Sequence, residues 1–238
     1  GVRDTGAYNR DTYNLEQVEI AKGPAGADTG RGGSSGHINL STKTPHLSND
    51  AGGQVIYGTA GDGDAQQRAT LDVNQQLSAG AAVRVAALWQ DSGVPGRDRV
   101  NNTSRGISPS LAVGLGTNTQ FTLAATYDEL RNLPDSGLPV VALPGVVLPG
   151  GTPVAVDQSN YYGLARQDYD NIDRTSLTAR VVHDFSGVLR LVNQTKWIDT
   201  DRDAVTSYFQ NSSTTATTFA PATTPVNPAT GAIPPSYP

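Results

Sequence analysis

The chain has 238 residues, 17 basic and 22 acidic side chains, a net charge of −5, and neither Cys nor Met. The absence of Cys excludes disulfides, thiolate metal sites and a Cys nucleophile, and three scattered histidines, His37, His46 and His183, argue against a multi-His metal site. A pI near 5.1 argues against general nucleic-acid binding, which needs a basic face, and Leu, Ile, Val and Phe supply only about a fifth of the residues, little for a large dry core.

No Met occurs, so the translation start is expected upstream, and no signal peptide is visible. Residues 14–20 carry a short apolar alternation, Val18 and Ile20, beside two acids. A turn cluster, Lys22-Gly-Pro-Ala-Gly26, and a Gly-rich stretch, Gly30-Arg-Gly-Gly-Ser-Ser-Gly36, follow. Residues 37–42 alternate again and the pattern stops at Pro45. This predicts strand, tight turns, strand.

From about residue 52 the chain becomes a series of longer alternating segments. Ala69, Leu71 and Val73 oppose Arg68, Thr70, Asp72 and Asn74. Val83, Val85, Ala87 and Trp89 oppose Arg84 and Gln90. Ile107, Pro109, Leu111, Val113 and Leu115 share a face. Phe121, Leu123, Ala125 and Tyr127 oppose Thr122, Thr126 and Asp128. Leu177, Ala179, Val181 and Phe185 oppose Ser176, Thr178, Arg180 and Asp184. With a strand at 53–60 and a poorer one at 188–199, seven strands are expected.

The connections alternate in length. Residues 78–80, 114–119 and 186–187 read as tight turns; 93–103, 132–171 and everything after 203 are long, and only 61–64 on that side is short. No helix can span a bilayer, because the most apolar stretch, 138–150, is broken by Pro139, Pro144 and Pro149. Tight turns at one end and long loops at the other are the layout of an outer-membrane barrel, with the apolar face toward lipid and the charges toward a wet lumen. A soluble β-sandwich with its polar face in water is the alternative. Residues 204–238 carry no charge, are rich in Thr and Pro, and read as a long loop or a disordered tail.

Residues 10–24, Arg-Asp-Thr-Tyr-Asn-Leu-Glu-Gln-Val-Glu-Ile-Ala-Lys-Gly-Pro, followed by Gly30-Arg-Gly32 and Gly36-His-Ile-Asn-Leu-Ser-Thr-Lys-Thr-Pro45, closely resemble the end of the plug domain of TonB-dependent outer-membrane receptors. Asp91-Ser-Gly-Val-Pro-Gly-Arg-Asp98, Gly106-Ile-Ser-Pro-Ser-Leu-Ala112, Leu133-Pro-Asp-Ser-Gly-Leu-Pro139 and Tyr161-Tyr-Gly163 resemble the siderophore-receptor branch, particularly receptors for ferric catecholates. The resemblance covers roughly residues 1–200. It implies an all-β fold: a partial transmembrane antiparallel β-barrel, about 7 of 22 strands, with the C-terminal part of an internal plug domain. Residues 1–45 would be the plug part and 46–238 the N-terminal part of the barrel, so the chain is expected to be a fragment.

The resemblance also implies site residues. Tyr8, Asn9 and Arg10, with Arg3, would stand at the plug apex beneath the extracellular pocket. Arg suits an anionic, flat-ringed ferric tris-catecholate through charge-assisted hydrogen bonds and stacking, and Tyr adds a rigid amphipathic contact; a loop contact with the barrel is the alternative. Arg97, Arg99, Arg105, Tyr161 and Tyr162 are further ligand candidates in the outer loops. Glu16, Glu19, Lys22 and Arg31 would pair plug with barrel wall, the alternative being ordinary solvated charge, where exposed pairs contribute only ~0–1 kcal/mol. Trp89, Tyr127 and Trp197 read as membrane-interface residues.

Gly32-Gly-Ser-Ser-Gly36 formally matches the hydrolase pattern G-x-S-x-G, but that motif needs a helix after its Ser. Here a strand pattern follows and no triad partners stand out, so these glycines read as turn residues. No P-loop is present. The function the resemblance implies is import of a ferric siderophore, of the catecholate class, across the bacterial outer membrane with energy from TonB. No catalytic residue, metal ligand or resident cofactor is expected; the partners are the siderophore, the TonB complex and lipid, and no nucleic acid. An importer of a hydroxamate siderophore or another large solute, or a non-transporting structural barrel, are the rivals.

Overall fold

A computed structural model of the chain describes residues 9–23, 36–59, 65–138 and 157–207; Arg3, Tyr8, Arg31 and the segment after 207 lie outside them. The described residues form strands only. β1 (Leu15–Lys22) pairs antiparallel with β2 (Gly36–Thr42). The larger sheet is a seven-stranded antiparallel meander in chain order: β3 (Asp50–Thr59), β4 (Ala65–Ser78), β5 (Ala81–Gly93), β6 (Asn101–Val113), β7 (Thr119–Asn132), β8 (Tyr169–Asp184) and β9 (Arg190–Val205).

The seven alternating segments are these seven strands, but most extend past their expected ends. β6 starts at Asn101 instead of 107, and β8 at Tyr169 instead of 177. The added residues, 101–106 and 169–176, are mostly polar on both faces, so hydropathy stops alternating while the backbone ladder continues. A 16-residue strand such as β8 rises about 50 Å at ~3.3 Å per residue, whereas the apolar band of an outer-membrane barrel is only ~25 Å tall.

Loop lengths sort the two ends of the sheet as the sequence implied. Ser78 faces Ala81, Ala81 faces Val113, Thr119 faces His183 and Asp184 faces Arg190, so the three tight turns share one end. The turns also touch: the Leu115 N–H donates to Gly80 O at 2.9 Å, and the Asp184 N–H to Asn118 O at 2.8 Å. Gly114 has φ +75°, and a Cβ there would overlap the Thr119 carbonyl. The connections after β3, β5 and β7, and the end of β9, lie at the other end.

Pro109 sits inside β6, where it has no N–H to give the ladder. The β6–β7 pairing is interrupted between Ile107 and Ser110. The Ser108 hydroxyl fills part of the gap, donating to Ala125 O at 3.3 Å.

The two faces differ in what they meet. Arg68, Asp72 and Arg84 contact residues 11–16 and 43–44, so their face holds the β1–β2 segment. Ala82, Ala86 and Ala112 are buried there, small side chains that leave room for it, together with Leu88. Leu71, Val73, Val83, Val85, Leu111, Leu123 and Val181 alternate to the opposite face, where Leu71, Ile107, Leu111, Phe121, Leu123 and Leu177 remain exposed.

One aromatic residue on that outward face marks every strand running toward the loop end: Tyr57 on β3, Trp89 on β5, Tyr127 on β7 and Trp197 on β9. Cross-strand register sets Val55, Trp89, Glu129 and Asp201 level along the hydrogen bonds. The aromatics therefore drift by about one residue per strand. With ~3.3 Å rise and ~4.8 Å strand spacing, that drift becomes a horizontal line when strands tilt by about 35°, inside the ~35–45° of outer-membrane barrels. Arg105, Glu129, Arg131, Asp173 and Asp199 face outward beyond this line, and the apolar residues lie within it.

Replacing Val85 by Arg should impair assembly, since Arg at mid-bilayer costs ~2–4 kcal/mol in such barrels. The check is the folded fraction after refolding into lipid vesicles, with Arg84→Leu as the comparison; Val85→Arg folding at wild-type level would reverse the facing.

Candidate functional site

Residues 9–16 run along the inner face of β4–β8. The Asp11 carboxylate caps its own turn, accepting the Tyr13 N–H at 2.8 Å. It also receives both terminal nitrogens of Arg68, at 2.5 and 2.8 Å, and the same guanidinium donates to Gln90 Oε1 at 2.6 Å. A bidentate pair of this kind fixes orientation as well as charge.

Two residues on, Tyr13 is buried against Ala86 and Leu88. Its hydroxyl donates to Asp128 Oδ1 at 2.8 Å, and Arg174 donates to Asp128 Oδ2 at 3.3 Å. The ring passes over Gly106, where an added Cβ would come within 2.6–2.8 Å of it. Burial, then the adjacent Asp128 carboxylate, pushes the Tyr13 phenol far above its ordinary value, so it stays a proton donor.

Glu16 and the β2–β3 linker meet the wall at Arg84. That guanidinium donates to Glu16 Oε2 at 3.0 Å, to Thr44 O at 3.1 Å and, bidentately, to Asp72 at 2.8 and 2.9 Å. Lys43 Nζ adds a second cation to Asp72 at 2.9 Å. Further along, the buried Asn74 amide donates to His46 O and Ser48 O, and accepts the His46 N–H at 3.1 Å. The linker is thus pinned to β4 residue by residue.

Beside these contacts a space of about 2030 Å³ separates the β1–β2 segment from the wall of β6–β9. Asn9, Arg10 and Asp11 line it on one side, and Asp128, Arg174 and Arg180 on the other. Arg10 is half-buried and Asn9 exposed at its margin.

Above the strand ends the loops are tied together. Arg97 is bidentate to Asp135 at 2.7 and 2.8 Å and also donates to Gln158 O. Tyr161 is buried and hydrogen-bonded to Asp168 at 2.7 Å; Tyr162 donates to Asp157 O at 3.0 Å. The polar groups of Arg97 and Tyr161 are therefore engaged in shaping the loops, where the sequence suggested ligand contact. Arg99 is exposed, with a left-handed backbone at φ 69°. Arg105, expected in an outer loop, lies instead on β6, register-paired with Trp89 and Glu129, and its residue borders the inner space.

Of the four expected plug contacts, Glu16 meets Arg84. Glu19 instead accepts from Gln17 at 3.0 Å and Asn39 at 2.8 Å, within the β1–β2 sheet itself. Lys22 is exposed at the far end of β1, register-paired with Gly36. Sequence reasoning missed Asp11 and Tyr13, although Asp-Thr-Tyr before a strand carries an Asx-turn signal. The partner Asp128 carried only the sign of facing inward, and Arg174 fell in the stretch not read as strand.

Two outcomes follow from this geometry. Gly106→Ala should push Tyr13 off the wall at ~1–3 kcal/mol, the usual cost of overpacking, and cost far less in a Tyr13→Ala background; a double-mutant cycle on unfolding free energy checks the coupling. Burial raises the Asp11 carboxyl, but the Arg68 hydrogen bonds and charge and the Tyr13 N–H outweigh it and hold the group below its ordinary 3.8. A carboxyl depressed in the folded state stabilises above the unfolded value of ~3.9 and loses that contribution as pH falls through the folded value. Protection of the amides at 11–16, taken relative to their intrinsic exchange rates at each pH, should therefore stay flat from about pH 8 to 5 and fall only below about pH 4, a step that Asp11→Asn abolishes.

No protein-family model matches the chain. The catecholate siderophore receptor Fiu of Escherichia coli K12 is 39% identical over 210 residues, covering 85% of this chain and 27% of that protein. The probable TonB-dependent receptor BfrD of Bordetella pertussis Tohama I is 36% identical over 198 residues, 83% of this chain and 26% of its own. The crystal structure of Fiu in its open form superposes with a TM-score of 0.77 at 35% identity, over 88% of this chain and 32% of that one. The siderophore receptor PiuA of Acinetobacter baumannii gives 0.76 at 31%, over 87% and 29%. The chain spans about a quarter of the length of the curated relatives it matches. Shared sequence, a lipid-facing meander with an aromatic line, and a small sheet pinned inside it together place the chain in the TonB-dependent outer-membrane receptors.

Proposed function

We propose that the receptor carrying this chain imports a ferric siderophore, of the catecholate class, across the outer membrane with energy from TonB. The observation that carries this is the extended match to Fiu, a catecholate siderophore receptor, over both the plug-like segment and the strands. The inner geometry supports it. A segment held to the wall through Arg68, Asp128, Arg84 and Asp72 obstructs the lumen, as a gated importer needs and a structural barrel does not.

The chemistry required is recognition, not bond-making. A ferric tris-catecholate is a trianion with flat aromatic edges, and Arg10 lines the inner space. Binding outside, followed by TonB-driven disturbance of the plug, moves the ligand inward without covalent chemistry and without a resident cofactor.

Arg10→Ala should weaken binding of a ferric catecholate about 10- to 150-fold, because a hydrogen bond to a charged group is worth ~1.5–3 kcal/mol. Tyr8→Ala should cost less, at ~0.5–1.5 kcal/mol for one aromatic contact. Receptor abundance should not change in either. Surface binding of iron-loaded siderophore to energy-depleted cells measures this without the transport step, with a ferric hydroxamate as competitor. Unchanged affinity in both variants would remove this loop from the pocket, and displacement by the hydroxamate would favour the rival ligand class.

A further inference from the structure

The loops above β5–β9 share their hydrogen bonds with one another more than with their own strands. Asp168, only 5% exposed, is the centre. Its Oδ2 accepts the Tyr161 hydroxyl at 2.7 Å and the Leu164 N–H at 2.8 Å; its Oδ1 accepts the Ser207 N–H at 2.9 Å and the Ser207 hydroxyl at 2.7 Å. One carboxylate thereby joins the connection before β8 to the segment leaving β9. The Ser136 hydroxyl reaches Ser207 O from the start of the β7–β8 connection.

The same network takes in the β5–β6 connection. Arg97 clamps Asp135 bidentately and donates to Gln158 O, the Asp98 N–H donates to Ser159 O at 2.6 Å, and the Leu133 N–H donates to Asn101 O at 3.0 Å. Val100 and Tyr161 are buried within it. Gly163 leaves no room for a Cβ, which would overlap the Asp168 carboxylate and the Tyr161 hydroxyl. Asp168 therefore accepts four hydrogen bonds in a space that has no room for a side chain at residue 163.

We propose that residues 94–100, 133–138, 157–168 and 206–207 form one rigid wall of the ligand vestibule, and that Asp168 is the positioning residue that holds them as a unit. The side chains available to a ligand, Arg99 among them, are then presented from a preformed surface, so binding does not have to order three separate loops. The ligand half of this inference rests on the siderophore-receptor reading; the mechanical half does not.

Asp168→Asn supplies the test in the intact receptor, because an amide NH₂ would face donors that now point at a carboxylate oxygen. Hydrogen exchange should accelerate about 5- to 100-fold, the range for stranding buried donors, at Leu164 and Ser207 and also at Asp98, which Asp168 does not touch. Acceleration confined to Leu164 and Ser207 would overturn the single wall. Tyr161→Phe, which removes one donor and leaves the carboxylate, should give the same pattern more weakly and covers the case in which Asp168→Asn fails to assemble. The second readout is binding of ferric tris(catecholate): its dissociation should quicken while its association changes little. Concerted exchange with unchanged dissociation would overturn the positioning role. A wild-type receptor that ignores ferric tris(catecholate) would overturn the siderophore reading alone, since the exchange pattern still decides the wall.

Discussion

In hydrocarbon, a backbone N–H or C=O without a partner costs several kcal/mol, and a membrane-crossing segment must settle every one internally. Between neighbouring strands the meander of β3–β9 does this with an antiparallel ladder, leaving only the outer edges of β3 and β9 without a strand partner among the described residues, and that ladder then dictates the rest. Side chains alternate strictly, so each strand carries one sequence written for lipid and another written for the interior. The interruption at Pro109 is tolerated because the Ser108 hydroxyl reaches the carbonyl that lost its donor.

The interior face carries charge, and burial makes that charge directional. Arg84 is nearly covered, yet every nitrogen of its guanidinium has an oxygen to meet, on Asp72, Glu16 or Thr44. A buried cation with one partner removed is costly, and a fully satisfied one is close to neutral against an apolar replacement. Such pairs therefore contribute registry more than stability. Arg68, Arg84 and Asp128 state where residues 11, 16 and 13 must lie, and the linker contacts at Asp72 and Asn74 state where residues 43–48 must lie. The plug-like segment is located by a row of specific contacts along β4–β8, with the open space on the other side of it.

Much of this was legible in the sequence because period-two alternation has a direct physical reading. The inward set Arg68, Asp72 and Arg84 and the outward set around Val83 and Val85 follow from alternation alone. Loop lengths gave the ends of the sheet. What alternation does not carry is strand length beyond the apolar band: at 101–106 and 169–176 both faces are wet, so nothing in hydropathy distinguishes ladder from loop. Contacts between distant segments were illegible for a different reason. Tyr13 and Asp128 are 115 residues apart, and no local pattern announces such a pair. Arg97 and Tyr161 were read as ligand residues from their chemistry, yet that same chemistry, a fork of donors and a phenol, also suits the joining of loops. Tyr57 was overlooked because the aromatic line appears only when register is known.

On the proposed function, the parts that would face the ligand share one design. Arg10 lies just before the turn that Asp11 and Arg68 fix to β4, and the loop residues rise from strand ends that are joined through Asp168 and Arg97. Neither is carried on an isolated flexible connection. A bulky ligand of the proposed class has few rotatable groups of its own, so the conformational part of the entropy cost of binding falls on the protein side. Freezing a rotamer-rich side chain costs ~0.5–1.5 kcal/mol and freezing backbone costs more per residue. Three independent loops, ordered only on binding, would consume most of what a few charge-assisted hydrogen bonds return. Tying these segments to each other in the free protein shifts that cost to folding, where the ladder of β5–β9 already brings their bases close together.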